Sequence, residues 1–162
     1  MLPWEQRATE VANLLNPAFC ILLLREAIRG FEEEKSQGMP YSLVFFPLPL
    51  LLYAPIRQAL PNSIRTKMFN WLKTKSDISI EFPEQANFYS PHTREALSFG
   101  LSNGIISITD TGLLKIQQSI DVQQDTDTEE VRDLKNKARF VGRWLALAGE
   151  DSTIYRMWGV QP

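Results

Sequence analysis

The feature that most constrains this chain lies near its C-terminus. Val131, Leu134, Ala138, Val141, Leu145 and Ala148 recur at spacings of 3, 4, 3, 4 and 3. That is one face of an α-helix over about 128–148, with charged residues elsewhere on its circumference. A helix with one apolar face is stable only when that face is covered. Asp127 with Glu130 three residues on resembles a capping box at its start, and Gly149 ends it. Asp151-Ser152 is placed to cap a final turn through Trp158.

What covers that face comes from upstream. Residues 5–15 read as a short helix. Asn16-Pro17 then opens a long one to about Lys35, because Asn caps well and Pro suits the first turn. Its first half is apolar on most sides, which predicts burial. From Ser42 to Tyr53 the chain is apolar but carries Pro47 and Pro49, so an extended or broken buried segment is expected. Residues 54–60 suit a helical turn. Pro61-Asn62-Ser63 caps a helix from Ile64 to about Lys75, with Ile64, Met68, Trp71 and Leu72 on one face. Residues 77–89 read as irregular, with a short helix around 84–88. Ser90-Pro91 starts a helix ending at Asn103-Gly104, and a hairpin over 105–116 follows, closed by Asp110-Thr111-Gly112. Residues 117–128 are polar and read as a loop.

The expected fold is α+β and mostly helical. A helix that ends in Asn-Gly and enters a hairpin at once suggests a winged-helix-like core, flanked by long N- and C-terminal helices. The chain reads as a single domain over 1–162. It has an N-terminal helical part at 5–60, a winged-helix-like part at 61–118, and a C-terminal helix and tail at 128–162. With 162 residues, 44% of them apolar and 22% charged, it has the composition of a globular domain. Met1-Leu2-Pro3-Trp4-Glu5 lacks the basic and apolar regions of a signal peptide. The longest apolar run, Leu43 to Tyr53, is broken by proline and falls short of the roughly 20 residues of a membrane span. A cytoplasmic location is therefore expected.

The inventory for chemistry is thin. One histidine, His92, and one cysteine, Cys20, cannot build the usual zinc sites. His92 reads as a capping or surface residue and Cys20 as a core residue. The glycines form no phosphate-binding loop. Glu33-x-Lys35 and Asp133-x-Lys135 match part of a nuclease signature, but both fall on expected helices. No catalytic residue, metal site or cofactor is expected, and an enzyme working through Cys20 or His92 is the least favoured alternative. Net charge is −2, so nucleic-acid binding by bulk charge is not indicated.

One surface stands out instead. Arg132, Lys135, Arg139 and Arg143 share a narrow face of the last long helix, away from its apolar stripe. They read either as a solvated face or as an electropositive ridge for an acidic partner or nucleic acid. Phe140 and Trp144 flank the ridge, and Tyr155 and Trp158 lie in a tail of similar composition. If exposed, these aromatics are natural interface anchors; core packing under the helix is the alternative.

Three stretches also carry a resemblance. The first runs from Glu10 through Asn16-Pro17 and Cys20 to Leu23-Leu24-Arg25-Glu26-Ala27-Ile28-Arg29-Gly30. The second is Gly38-Met39-Pro40, the proline-broken segment, Arg57-Gln58-Ala59-Leu60-Pro61 and Trp71-Leu72. The third joins Thr93-Arg94-Glu95-Ala96-Leu97 and Gly100 to Lys137 through Trp144 and to Ile154 through Val160. Together they resemble the middle component of bacterial three-component ABC systems, over nearly the whole chain. The resemblance implies partners from the same operon: an ABC ATPase of the SMC kind and an effector, often a nuclease, as in Lamassu-like antiphage defence. It implies a non-catalytic adaptor between them, with DNA reached through the complex and with no membrane or small-molecule substrate. A winged-helix DNA-binding sensor or regulator is the alternative. The helix at 91–103 offers only Arg94 as a cation, which is poor for phosphate contacts.

Overall fold

The computed structural model describes residues 15–117 and 127–161. All but the last residue of the expected helix at 5–15, and most of the polar loop at 117–128, lie outside them. Helix α1 (Pro17–Glu34) starts as its sequence dictates: Pro17 occupies the first turn and the Asn16 side chain accepts from the Ala18 N–H at 2.9 Å. Helix α6 (Glu129–Leu147) packs on α1 through Leu134, Ala138, Val141 and Leu145, all buried. Its cap is Thr128 rather than Asp127; the Thr128 hydroxyl accepts from the Val131 N–H at 3.3 Å. The two helices cross where Gly30 and Gly142 bring their backbones together.

The segment expected to be extended or broken is helical. A 3-10 helix (Tyr41–Phe45) leads into α2 (Pro47–Leu52), and α3 (Ala54–Ala59) follows a bend at Tyr53. The prolines are accommodated because Pro47, Pro49 and Pro55 all fall in a first helical turn, where the N–H groups have no intrahelical partner to lose. Helix α4 (Met68–Thr74) is shorter than the expected 64–75, with a turn closed by Thr66 N–H to the Ser63 carbonyl at 3.0 Å before it.

A second correction concerns residues 76–102. They form one helix of 27 residues, α5 (Ser76–Ser102), running through Pro83 and Pro91. Sequence reasoning expected irregular chain and a fresh start at Ser90-Pro91. Each interior proline costs about 3 kcal/mol. Ile78, Phe82, Tyr89, Thr93, Ala96, Leu97 and Gly100 bury one face of the helix, at about 1.5–3 kcal/mol for each large apolar side chain. Packing outweighs the two breaks.

The expected hairpin is β2 (Ile106–Ile108) with β3 (Leu113–Ile116), Ile106 opposite Ile116. A strand not foreseen, β1 (Met39–Pro40), pairs antiparallel with β3, Met39 opposite Leu114. Strand order is β1-β3-β2. The fold is therefore α+β and mostly helical. Helix α7 (Asp151–Trp158) closes the described chain and ends on left-handed Gly159. It inserts Trp158 between Phe82, at 4.3 Å between ring centroids, and Trp71, at 6.0 Å. Among the described residues no helix is long and apolar enough to cross a membrane.

Candidate interaction surfaces

Arg132, Lys135, Arg139 and Arg143 of α6 are not free. Arg139 Nε donates to Glu33 Oε1 at 2.6 Å, and Arg143 Nε to Glu34 Oε1 at 2.7 Å. Lys135 Nζ lies 2.6 Å from Asp127 Oδ2, and Arg132 donates to the Asp127 main-chain oxygen at 3.3 Å. The acidic end of α1, Glu33-Glu34, thus lies alongside Arg139 and Arg143. At Arg139 and Arg143 the shared face expected from helical spacing, solvated or a ridge, becomes a seam of ion pairs between two helices. Arg139, Phe140 and Arg143 remain together around a shallow pocket of about 270 Å³ with Glu33, Ile64 and Asn136.

The aromatic residues divide differently. Phe140 is half-buried beside Trp144, ring centroids 6.0 Å apart. Trp144 and Trp158 are core residues, 1% and 0% exposed, and Tyr155 is buried too. Trp144 donates to the Thr66 carbonyl at 2.7 Å and stands edge-on to Trp71. Trp158 donates to Met68 Sδ at 3.1 Å, and Tyr155 to the Ser42 carbonyl at 2.6 Å. As exposed anchors, Trp144, Tyr155 and Trp158 are corrected: their polar atoms find internal partners, which lets the rings be enclosed.

Cys20 is fully buried on α1, and His92 is buried on α5 rather than at a helix start. Burial, with the Glu95 carboxylate as a smaller cause, pushes the Cys20 thiol up to about 12. It stays protonated at neutral pH, and the thiol is a poor nucleophile. Among the described residues no group of three His, Cys, Asp or Glu is placed to hold a metal ion.

Two surfaces escaped the sequence reading. One is a groove of about 630 Å³ between α5, the 3-10 helix and the end of α7. Phe45, Phe46, Phe82 and Tyr155 line it, and Arg94 lies over the Phe45 ring at 5.7 Å. Its walls come from three distant stretches, so no local signal marks it. The other was legible: between Pro61 and Ser76 the chain has Arg65, Lys67, Lys73 and Lys75 and no acidic residue. All four are exposed, as is Phe69.

The family model for the ABC-three component (ABC-3C) system Middle Component 3 matches residues 4–162. The chain belongs to that family. No curated protein and no solved structure matches it. A middle component is an accessory part of a three-component ABC system, so its partners are the other components. The surfaces of this middle component are where contacts with those components are to be sought.

Proposed function

We propose that this middle component is a non-catalytic adaptor in the cytoplasm. It links an SMC-like ABC ATPase to an effector, a nuclease in the favoured reading, within an antiphage defence complex. There it holds the effector in check until foreign DNA is sensed. The observation that carries this is family membership over residues 4–162, which makes the chain one component among three. The burial of Cys20 and His92 supports a role in contact rather than chemistry. Co-expression with the ATPase and effector encoded beside it tests the reading. One co-eluting complex containing all three is expected, and loss of the ATPase–effector association when this chain is omitted. An ATPase and effector that associate equally well without it would refute the adaptor role.

The alternative, a winged-helix DNA-binding sensor, draws support from one observation. A helix, a short strand, further helices and a hairpin succeed one another, with strand order β1-β3-β2. The outer face of α5 speaks against it as a reading helix. Asp77, Ile80, Glu81, Glu84 and Phe88 are exposed there, and Arg94 is the only cation of the whole helix. Carboxylates set against phosphates are repulsive. Gel shifts with duplex DNA at low salt decide between the two; no shift removes the winged-helix reader.

A further inference from the structure

We infer that the segment from Arg65 to Lys75, built around α4, is a binding surface for single-stranded nucleic acid. The charge of the molecule is distributed to favour it. Every cation of α1 and α6 except Arg132 lies against a carboxylate: Arg25 and Arg29 on Glu26, Lys135 on Asp127, Lys137 on Asp133, Arg139 on Glu33 and Arg143 on Glu34. Among the described residues, Arg65, Lys67, Lys73 and Lys75 form no ion pair at all. The net charge of the chain is −2, so these four make a local positive field that the total conceals.

An aromatic side chain stands inside that field. Phe69 is 53% exposed although Met68, Trp71 and Leu72 of the same helix are buried. Lys73 Nζ lies 4.4 Å from its ring centroid. That cation–π contact holds an exposed ring at the surface within the run of cations. Cations spaced along a short element, with a ring between them, match the pattern by which proteins hold a single strand: phosphates on the cations, a base stacked on the ring. A duplex keeps its bases stacked internally and has none to offer Phe69. An acidic protein surface would also satisfy the cations, and the polyglutamate arm of the test sets it apart. Its cations are distinct from those of the α1–α6 seam, which it adjoins at Ile64, and the inference does not depend on the adaptor reading.

The test is fluorescence anisotropy of a labelled fifteen-nucleotide oligothymidylate against the purified full chain. Four cations at about 0.7 counterions each give a slope of log affinity against log salt near −2.8, or an affinity loss of about fifty-fold between 50 and 200 mM salt. Lys73→Glu with Lys75→Glu should weaken binding more than tenfold and at least halve the slope. Phe69→Ala should weaken it about fivefold or more while leaving the slope unchanged, because stacking releases no counterion. All three side chains are exposed, so circular dichroism and the melting temperature should stay those of the parent. Arg139→Ala with Arg143→Ala should leave binding intact. The inference is overturned by no binding at 50 mM salt, by equal binding of duplex or polyglutamate, or by Phe69→Ala without effect.

Discussion

Gly142 of α6 lies directly on the backbone of Ala27 in α1. A Cβ placed on Gly142 would come 2.7 Å from the Ala27 carbonyl carbon, and one on Gly30 would come 2.9 Å from that of Arg139. The two glycines are the reciprocal halves of one helix crossing. The obstacle at each is backbone, which cannot rotate aside.

Helix propensity alone would make Gly142→Ala stabilising by about 1 kcal/mol. The crossing reverses the sign, since overpacking a tight contact costs about 1–3 kcal/mol and here the opposing atoms are main chain. We expect Gly142→Ala to lower stability by about 2 kcal/mol or more, read as a shift of the urea midpoint at unchanged slope. Gly100→Ala is the internal comparison. Its Cβ would meet the Ile21 side chain at 2.6 Å, which can turn away, so the loss should be smaller. Equal losses at both positions would deny Gly142 its special role.

Alanine substitutions along α6 should fall into two groups. Trp144 fills core space and donates to Thr66, so Trp144→Ala should cost about 3–5 kcal/mol. Arg139 and Arg143 are partly exposed in their pairs with Glu33 and Glu34, and each alanine there should cost less than about 1 kcal/mol. Denaturation curves of the three variants check this. Loss of partner binding in Trp144→Ala would then report unfolding, whereas the same loss in the arginine variants would report an interface.

How far these features were readable depends on the range of the interaction behind each. The stripe of α6 and the Asn16-Pro17 start of α1 are local, and both appear as expected. The salt-bridge seam was half legible: spacing put Arg139 and Arg143 on one face, but nothing local says that Glu33 and Glu34 arrive beside them. By composition Trp158 suits a surface anchor or the core equally. It is a core residue because α7 folds back to Phe82, 76 positions upstream. Strand β1 has two residues and owes its existence to pairing with β3, so no periodicity announces it. The continuity of α5 is not legible for a related reason: local rules weigh Pro83 and Pro91, and the buried face that outweighs them is tertiary.

That competition makes a third prediction. Pro91 leaves the Asn87 carbonyl without its intrahelical donor. Pro91 is exposed, so its ring can be removed without opening a core cavity. Pro91→Ala should restore the bond and stabilise the fold by about 2 kcal/mol, after allowing for the about 0.4–1 kcal/mol by which proline stiffens the unfolded chain. Thermal melting measures it. A fall in melting temperature would mean that the proline ring contributes more to the fold than the bond it removes.

Alkaline stability should depend on Cys20. Burial raises its thiol in the folded state from an ordinary 9.0 to about 12. Between those values the unfolded chain releases the proton and the folded chain keeps it, so the unfolded state binds fewer protons and stability falls as pH rises. The contribution is whole below pH 9 and is lost progressively toward 12. Over pH 8.5 to 10.5 this single group should remove about 2 kcal/mol. Tyr89 and Tyr155, also raised chiefly by burial, act in the same direction and persist in Cys20→Ala. Urea midpoints across this range should therefore decline for both proteins, and more steeply for the parent. Parallel declines would show that the thiol ionises as readily in the folded chain as in the unfolded one, which its burial beneath α5 forbids.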